Sequence, residues 1–94
     1  MGFNDVKKQV IGALKAGTYL HEVRSDISVK NLLAMGEVAV DDIIAVVKKS
    51  GGHEHQSSPH HREPKVDVNV ITSGGWYIKF YFIEPDTWFI SVHQ

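Results

Sequence analysis

The residues able to do chemistry are concentrated in the second half of the chain. The run WYIKFYFIE places Tyr77, Lys79 and Tyr81 two residues apart, and TWFISVHQ carries Ser91 and His93 at the same interval. Asp67 and Asn69 are spaced likewise in KVDVNVIT. Two-residue spacing puts such side chains on one face of a strand. Phenols, an ammonium and an imidazole on one rigid platform can bind a phosphate, stack a base and move a proton. Upstream, GGHEHQSSPHHREP gathers His53, His55, His60 and His61 with Gln56 and Arg62. Imidazole as a side-chain type titrates near neutrality, so one or two of these placed over the platform suit acid–base work or phosphate binding.

Two other readings compete. The spacings HEH and HH also suit metal ligation, but zinc takes about four ligands, commonly His or Cys, in tetrahedral geometry. The chain has no cysteine. No resident metal or other cofactor is therefore expected, and a zinc-binding histidine loop stands as an alternative. The tyrosine-rich face is also compatible with a solvated sheet face or a non-catalytic protein-binding module.

The elements that must position these groups follow from patterning. Ninety-four residues suffice for one domain, with 43% hydrophobic and 22% charged residues; this mix excludes a disordered tail or a coiled coil. The net charge of −1 excludes a whole-chain electrostatic grip on nucleic acid. The start, MGFNDVKKQV, lacks the apolar core of a signal peptide, and no stretch approaches the ~20 apolar residues of a membrane span. A soluble cytoplasmic domain is expected, covering 1–94, with a helical part over 1–50 and a sheet part over 53–94.

FNDVKKQVIGALKAG reads as a helix capped by Asn4, with Phe3, Val6, Val10, Ile11 and Leu14 on one face and Gly17 as its stop. SDISVKNLLAMGE reads as a second, short helix capped by Ser25, Asp26 or Ser28 and closed by Gly36. Asp41-Asp42 followed by Lys48-Lys49 predicts a third helix ended by Gly51-Gly52. The histidine-rich stretch reads as a loop with a short edge strand near His55 to Ser58, and three strands follow, joined by turns at SGG and PD. Helices before strands argue α+β, with short N-terminal helices packed on one face of a small antiparallel sheet. Alternation assigns Val66, Val68, Val70, Trp76, Ile78, Phe80, Phe82, Trp88, Ile90 and Val92 to the covered face. It assigns Asp67, Asn69, Tyr77, Lys79, Tyr81, Ser91 and His93 to the other.

The stretch from Gln56 through His93 resembles the MqsR toxins, a branch of the RelE-like ribonucleases of bacterial toxin–antitoxin systems. The matching features are Asp67-Val68, Gly75 before Trp76-Tyr77-Ile78-Lys79, the final Ile90-Ser91-Val92-His93, and LLAMGEVAVDDIIAVV upstream. Together they cover roughly two-thirds of the chain. The resemblance implies that Tyr77 occupies the place of the catalytic tyrosine and His93 that of a catalytic lysine. Gln56 or His55 stands at a lysine of that family, and Val66 at a glutamine.

The resemblance implies an endoribonuclease, and metal-independent RNA cleavage needs a base for the 2′-hydroxyl, a cation for the phosphate and an acid for the leaving oxygen. Lys79 and Arg62 suit the phosphate; His93 with His60 or His61 suits the acid–base pair; Tyr77 would orient the phosphate or donate a proton. Tyr81 would stack a base, with Gln56, Asn69 and Asp67 as further RNA contacts. The expected partners are an mRNA and a cognate antitoxin. From Gly52 onward acidic residues outnumber basic ones, which favours free mRNA over the ribosome as substrate.

Overall fold

The computed structural model describes residues 2–22 and 31–94. Helix α1 (Phe3–Ala16) starts with Gly2, not Asn4, at its N-cap. It buries Val6, Val10, Ala13 and Leu14, and Gly17 ends it at φ 75°, a conformation costing an ordinary L-residue about 1–2 kcal/mol. Strand β1 (Tyr19–His21) follows, too short for any periodicity to mark it.

The second helix is not formed in the part of its span that is described, and its candidate caps Ser25, Asp26 and Ser28 lie outside the described residues. Residues 32–36 form turns instead. The reason is Asn31. Its backbone bridges to Val92 in parallel fashion, and the next N–H, of Leu32, donates to the Val92 carbonyl at 2.7 Å. Backbone tied to a sheet is lost to a helix. The Asn31 Oδ1 accepts the Ala34 N–H at 3.0 Å.

Helix α2 (Val40–Lys49) carries Asp41 and Asp42 in its first turn and Lys48 and Lys49 in its last, the charge order its macrodipole favours. It stops at Ser50, ahead of the glycines, where the buried Ser50 Oγ donates to the Val47 carbonyl at 2.6 Å. Lys7 of α1 donates to the Ser50 carbonyl at 2.9 Å and ties the helices together. A 3-10 turn at Gly52–Glu54 leads into β2 (His55–Pro59), then β3 (Asp67–Ser73), β4 (Trp76–Ile83) and β5 (Asp86–His93).

The fold is α+β; among the described residues two helices pack on a five-stranded sheet of order β1-β5-β4-β3-β2. Strands β2 to β5 form the expected antiparallel meander, but β1 pairs with β5 in parallel. The sheet is therefore mixed, and the 1–50 part is not purely helical.

Register corrects the predicted faces. The β3–β4 loop is Gly74-Gly75 alone, both at positive φ, so Ser73 pairs with Trp76. Such two-residue loops call for glycine-like conformations and set the ladder. Odd-numbered residues of β3 then share a face with even-numbered residues of β4. Asn69 pairs with Phe80 and Ile71 with Ile78, facing the helices; Val68 pairs with Tyr81 and Val70 with Lys79, facing away. In β5, Phe89 pairs with Phe80, Ile90 is an extra residue, and pairing resumes at Lys79 with Ser91 and Tyr77 with His93.

The core is thus built from Ile71, Ile78, Phe80, Phe89 and Val92 against Val6, Val10, Leu14, Leu33, Ile43, Ile44 and Val47. Val68, Ile90 and Tyr81 form a second buried cluster on the opposite face, with Val66 and Trp88 packed against it. No described helix is long and apolar enough to cross a membrane.

Phe89, absent from the covered face that alternation predicts, is fully buried, so Phe89→Ala should cost about 3–5 kcal/mol in urea unfolding and Val70→Ala far less; near-equal losses would contradict the register. His21 concerns pH. The Asn31 amide is oriented by its bond from Ala34, so its Nδ2 donates to His21 Nδ1 at 3.0 Å and the ring is neutral with its proton on Nε2. Burial pushes the His21 pKa below its ordinary 6.5. Below about that pH the unfolded chain takes up the proton first, so stability should fall as pH drops through the window under 6.5. His21→Asn, which places an acceptor near Nδ1, should flatten that slope in urea titrations at pH 7.5 and 5.

Candidate active site

The face turned away from the helices is here called the open face. Across it the ladder sets Thr72, Tyr77 and His93 in one row, and Gln56, Val70, Lys79 and Ser91 in the next. Tyr77, Lys79 and His93 are each half-buried, so they share one accessible face, while Gln56 is exposed and Ser91 buried. The Tyr77 ring stacks on His93 at 5.1 Å and 22°. His93 Nδ1 lies 3.2 Å from the Gln94 carbonyl oxygen. A carbonyl only accepts, so Nδ1 carries the hydrogen of that bond and Nε2 is left for proton transfer.

Lys79 also lines a cavity of about 180 Å³ with Ser58, Pro59, His60, His61, Val68 and Ile90. His60 is buried at 9% exposure. Its Nδ1 accepts the backbone N–H groups of Arg62 at 3.1 Å and Glu63 at 3.3 Å, and its own N–H donates to the Val66 carbonyl at 2.8 Å. The ring stacks on His61 at 5.0 Å and meets Tyr81 edge-on at 5.0 Å. His60 therefore clamps the 60–66 loop to the sheet, while exposed His61 and Arg62 ride on it.

Several expected partners are separated. The Tyr77 row and the Tyr81 row lie four residues, about 13 Å, apart. The structure thus groups His93 with Tyr77 and His60 with His61, on either side of Lys79, instead of joining His93 and His60 as one pair. Tyr81 is buried; its hydroxyl donates to Glu22 Oε2 at 2.9 Å and its ring stacks with Trp88, so it is not presented for stacking a base. Asn69 is buried on the helix side, where its Oδ1 accepts from His55 Nε2 at 2.9 Å. Asp67 is exposed at the start of β3 beside a cavity of about 170 Å³ shared with Val6, Lys65 and Phe82, off the open face. His53, His55 and the His60-His61 pair occupy different places, and among the described residues no three His, Cys, Asp or Glu side chains converge to hold a metal.

Sequence reading missed Glu54. It sits beside β3: Thr72 Oγ1 donates to its carbonyl at 3.4 Å, and its Oε1 accepts the Gly51 N–H at 2.9 Å. That bond holds its carboxyl below the ordinary range, helped by the Ser73 hydroxyl and nearby His53, against a smaller opposing effect of desolvation. The signal was present as a glutamate three residues after the residue that starts a helical turn, the spacing of a capping box.

No known protein family, curated protein or solved structure matches the chain.

The loop clamp is testable by trypsin, which cuts after Arg62 and Lys65. His60→Leu removes the acceptor for two N–H groups and should speed cleavage there about tenfold, whereas His60→Asn, with an oxygen near the Nδ1 position, should speed it less. An unchanged rate in the Leu variant would show that the loop is held by something else.

Proposed function

We propose that the protein is a metal-independent endoribonuclease that cleaves mRNA, a toxin of the MqsR and RelE-like kind restrained by a cognate antitoxin and acting in the cytoplasm. One observation carries this reading: Tyr77, Lys79 and His93 lie together on one accessible face, with the phenol stacked on the imidazole. The ribose 2′-hydroxyl oxygen attacks phosphorus and loses its proton to a base. The P–O5′ bond breaks, and the leaving oxygen takes a proton from an acid. The products are a 2′,3′-cyclic phosphate and a 5′-hydroxyl. His93 Nε2 serves in one of these proton transfers and Tyr77 in the other, and Lys79 balances the charge gathering on the phosphate. His61 and Arg62 reach the RNA from the far side of Lys79, and Gln56 lies along the same row.

A second reading rests on a different part of the same face. Leu20 and Ile83 are 43% and 49% exposed there, with Trp88 between them across the ladder. A non-catalytic binding module would use this apolar end, and a toxin would offer it to its antitoxin.

Incubation with single-stranded RNA in excess chelator separates the two. The parent protein should release fragments ending in 2′,3′-cyclic phosphate, and His93→Ala should be slower by about 10²-fold or more. Intact RNA throughout, or a variant as fast as the parent, would overturn the nuclease reading.

A further inference from the structure

Beside the Tyr77–His93 stack lies a second, unclaimed cavity. It is an open hollow of about 440 Å³ lined by Glu54, Thr72, Ser73, Gly74, Gly75, Trp76 and Tyr77. Its place follows from register. Thr72 pairs with Tyr77 on one side and Tyr77 with His93 on the other. His93 stacks on one face of the phenol, and Thr72 and Tyr77 both line the hollow. Gly74 and Gly75 leave the hairpin end of the cavity free of side chains. Glu54 is the one carboxylate in that lining.

A carboxylate offers about four lone-pair positions and no donor. Gly51 and Ser73 engage two of them at most, which leaves room for two more hydrogens. Among the four RNA bases, guanine presents adjacent ring N–H and amino donors on one edge. Adenine and cytosine place a ring acceptor next to the amino group, and uracil flanks its single N–H with carbonyls. Those acceptors would meet carboxylate lone pairs and be repelled.

We propose that this cavity binds a flat heteroaromatic ring bearing two adjacent N–H donors, a guanine in RNA, stacked on Tyr77 with its donor edge on the Glu54 carboxylate. Binding of the ring stands on the cavity alone; its assignment to RNA rests on the ribonuclease reading above.

The test reads binding, not cleavage, so failure of one reading does not disguise failure of the other. Calorimetric titration with the four nucleoside 5′-monophosphates should favour guanosine monophosphate by at least ~10-fold. Glu54→Gln keeps an oxygen for the Gly51 N–H but replaces the second with a donor, and it should erase that preference while the melting temperature stays close to the parent's. Tyr77→Ala should weaken all four by about fivefold or more through lost stacking. Four nucleotides that bind alike or not at all, or a Gln variant that keeps the preference, would overturn the site. A short oligoribonucleotide with one guanosine, 2′-O-methylated against cleavage, should bind more tightly than the mononucleotide. Equal affinity would overturn the RNA assignment and leave a free-nucleotide site.

Discussion

The open face depends on one extra residue in β5. Phe89 and Val92 are both fully buried against the helices, yet they are three residues apart. A regular strand sends positions three apart to opposite faces. Inserting Ile90 opposite the Phe80–Lys79 step resolves the conflict. Burying either side chain contributes about 1.5–3 kcal/mol, against about 1 kcal/mol for a disturbed ladder hydrogen bond, so the irregularity is favoured. Without it Tyr77 would pair with Val92, and His93 would turn under the helices. The hydrophobic demand of the core thus aligns the phenol and the imidazole.

The same face is divided in two by packing. At one end Val68, Tyr81, Ile90 and Trp88 make a small second core, over which His60 folds the 60–66 loop. At the other end Tyr77, Lys79 and His93 stay accessible. The boundary runs through the cavity where Lys79 meets His60 and His61. His60 belongs to the packed half; its Nδ1 is committed to backbone hydrogens, while His61 and Arg62 are exposed on that loop.

Strand β5 is held on both edges along its length. It pairs with β4 on one side, and on the other with β1 and then with Asn31, both in parallel. Asn31 also hydrogen-bonds His21 of β1. Residues far upstream in sequence therefore fix the segment that carries His93 in the interior of the sheet, where a strand end would otherwise fray.

The sequence by itself determined the α+β class, both described helices, the meander and the edge strand at His55. Each is a local matter of apolar period, charge order or glycine position. Alternation within β4 also put Tyr77 and Lys79 on a common face, whereas His93 joins them only through the extra residue at Ile90. Tertiary structure decided which way each strand turns relative to its neighbours. A single residue of register inverts a strand, and the register was set by the Gly74-Gly75 loop and by the burial of Phe89 with Val92. That is why Asn69 moved beneath the helices and Val70 came out. The parallel strand at Tyr19 and the packing of His60 against Tyr81 arise from contacts between distant segments, which no local pattern encodes.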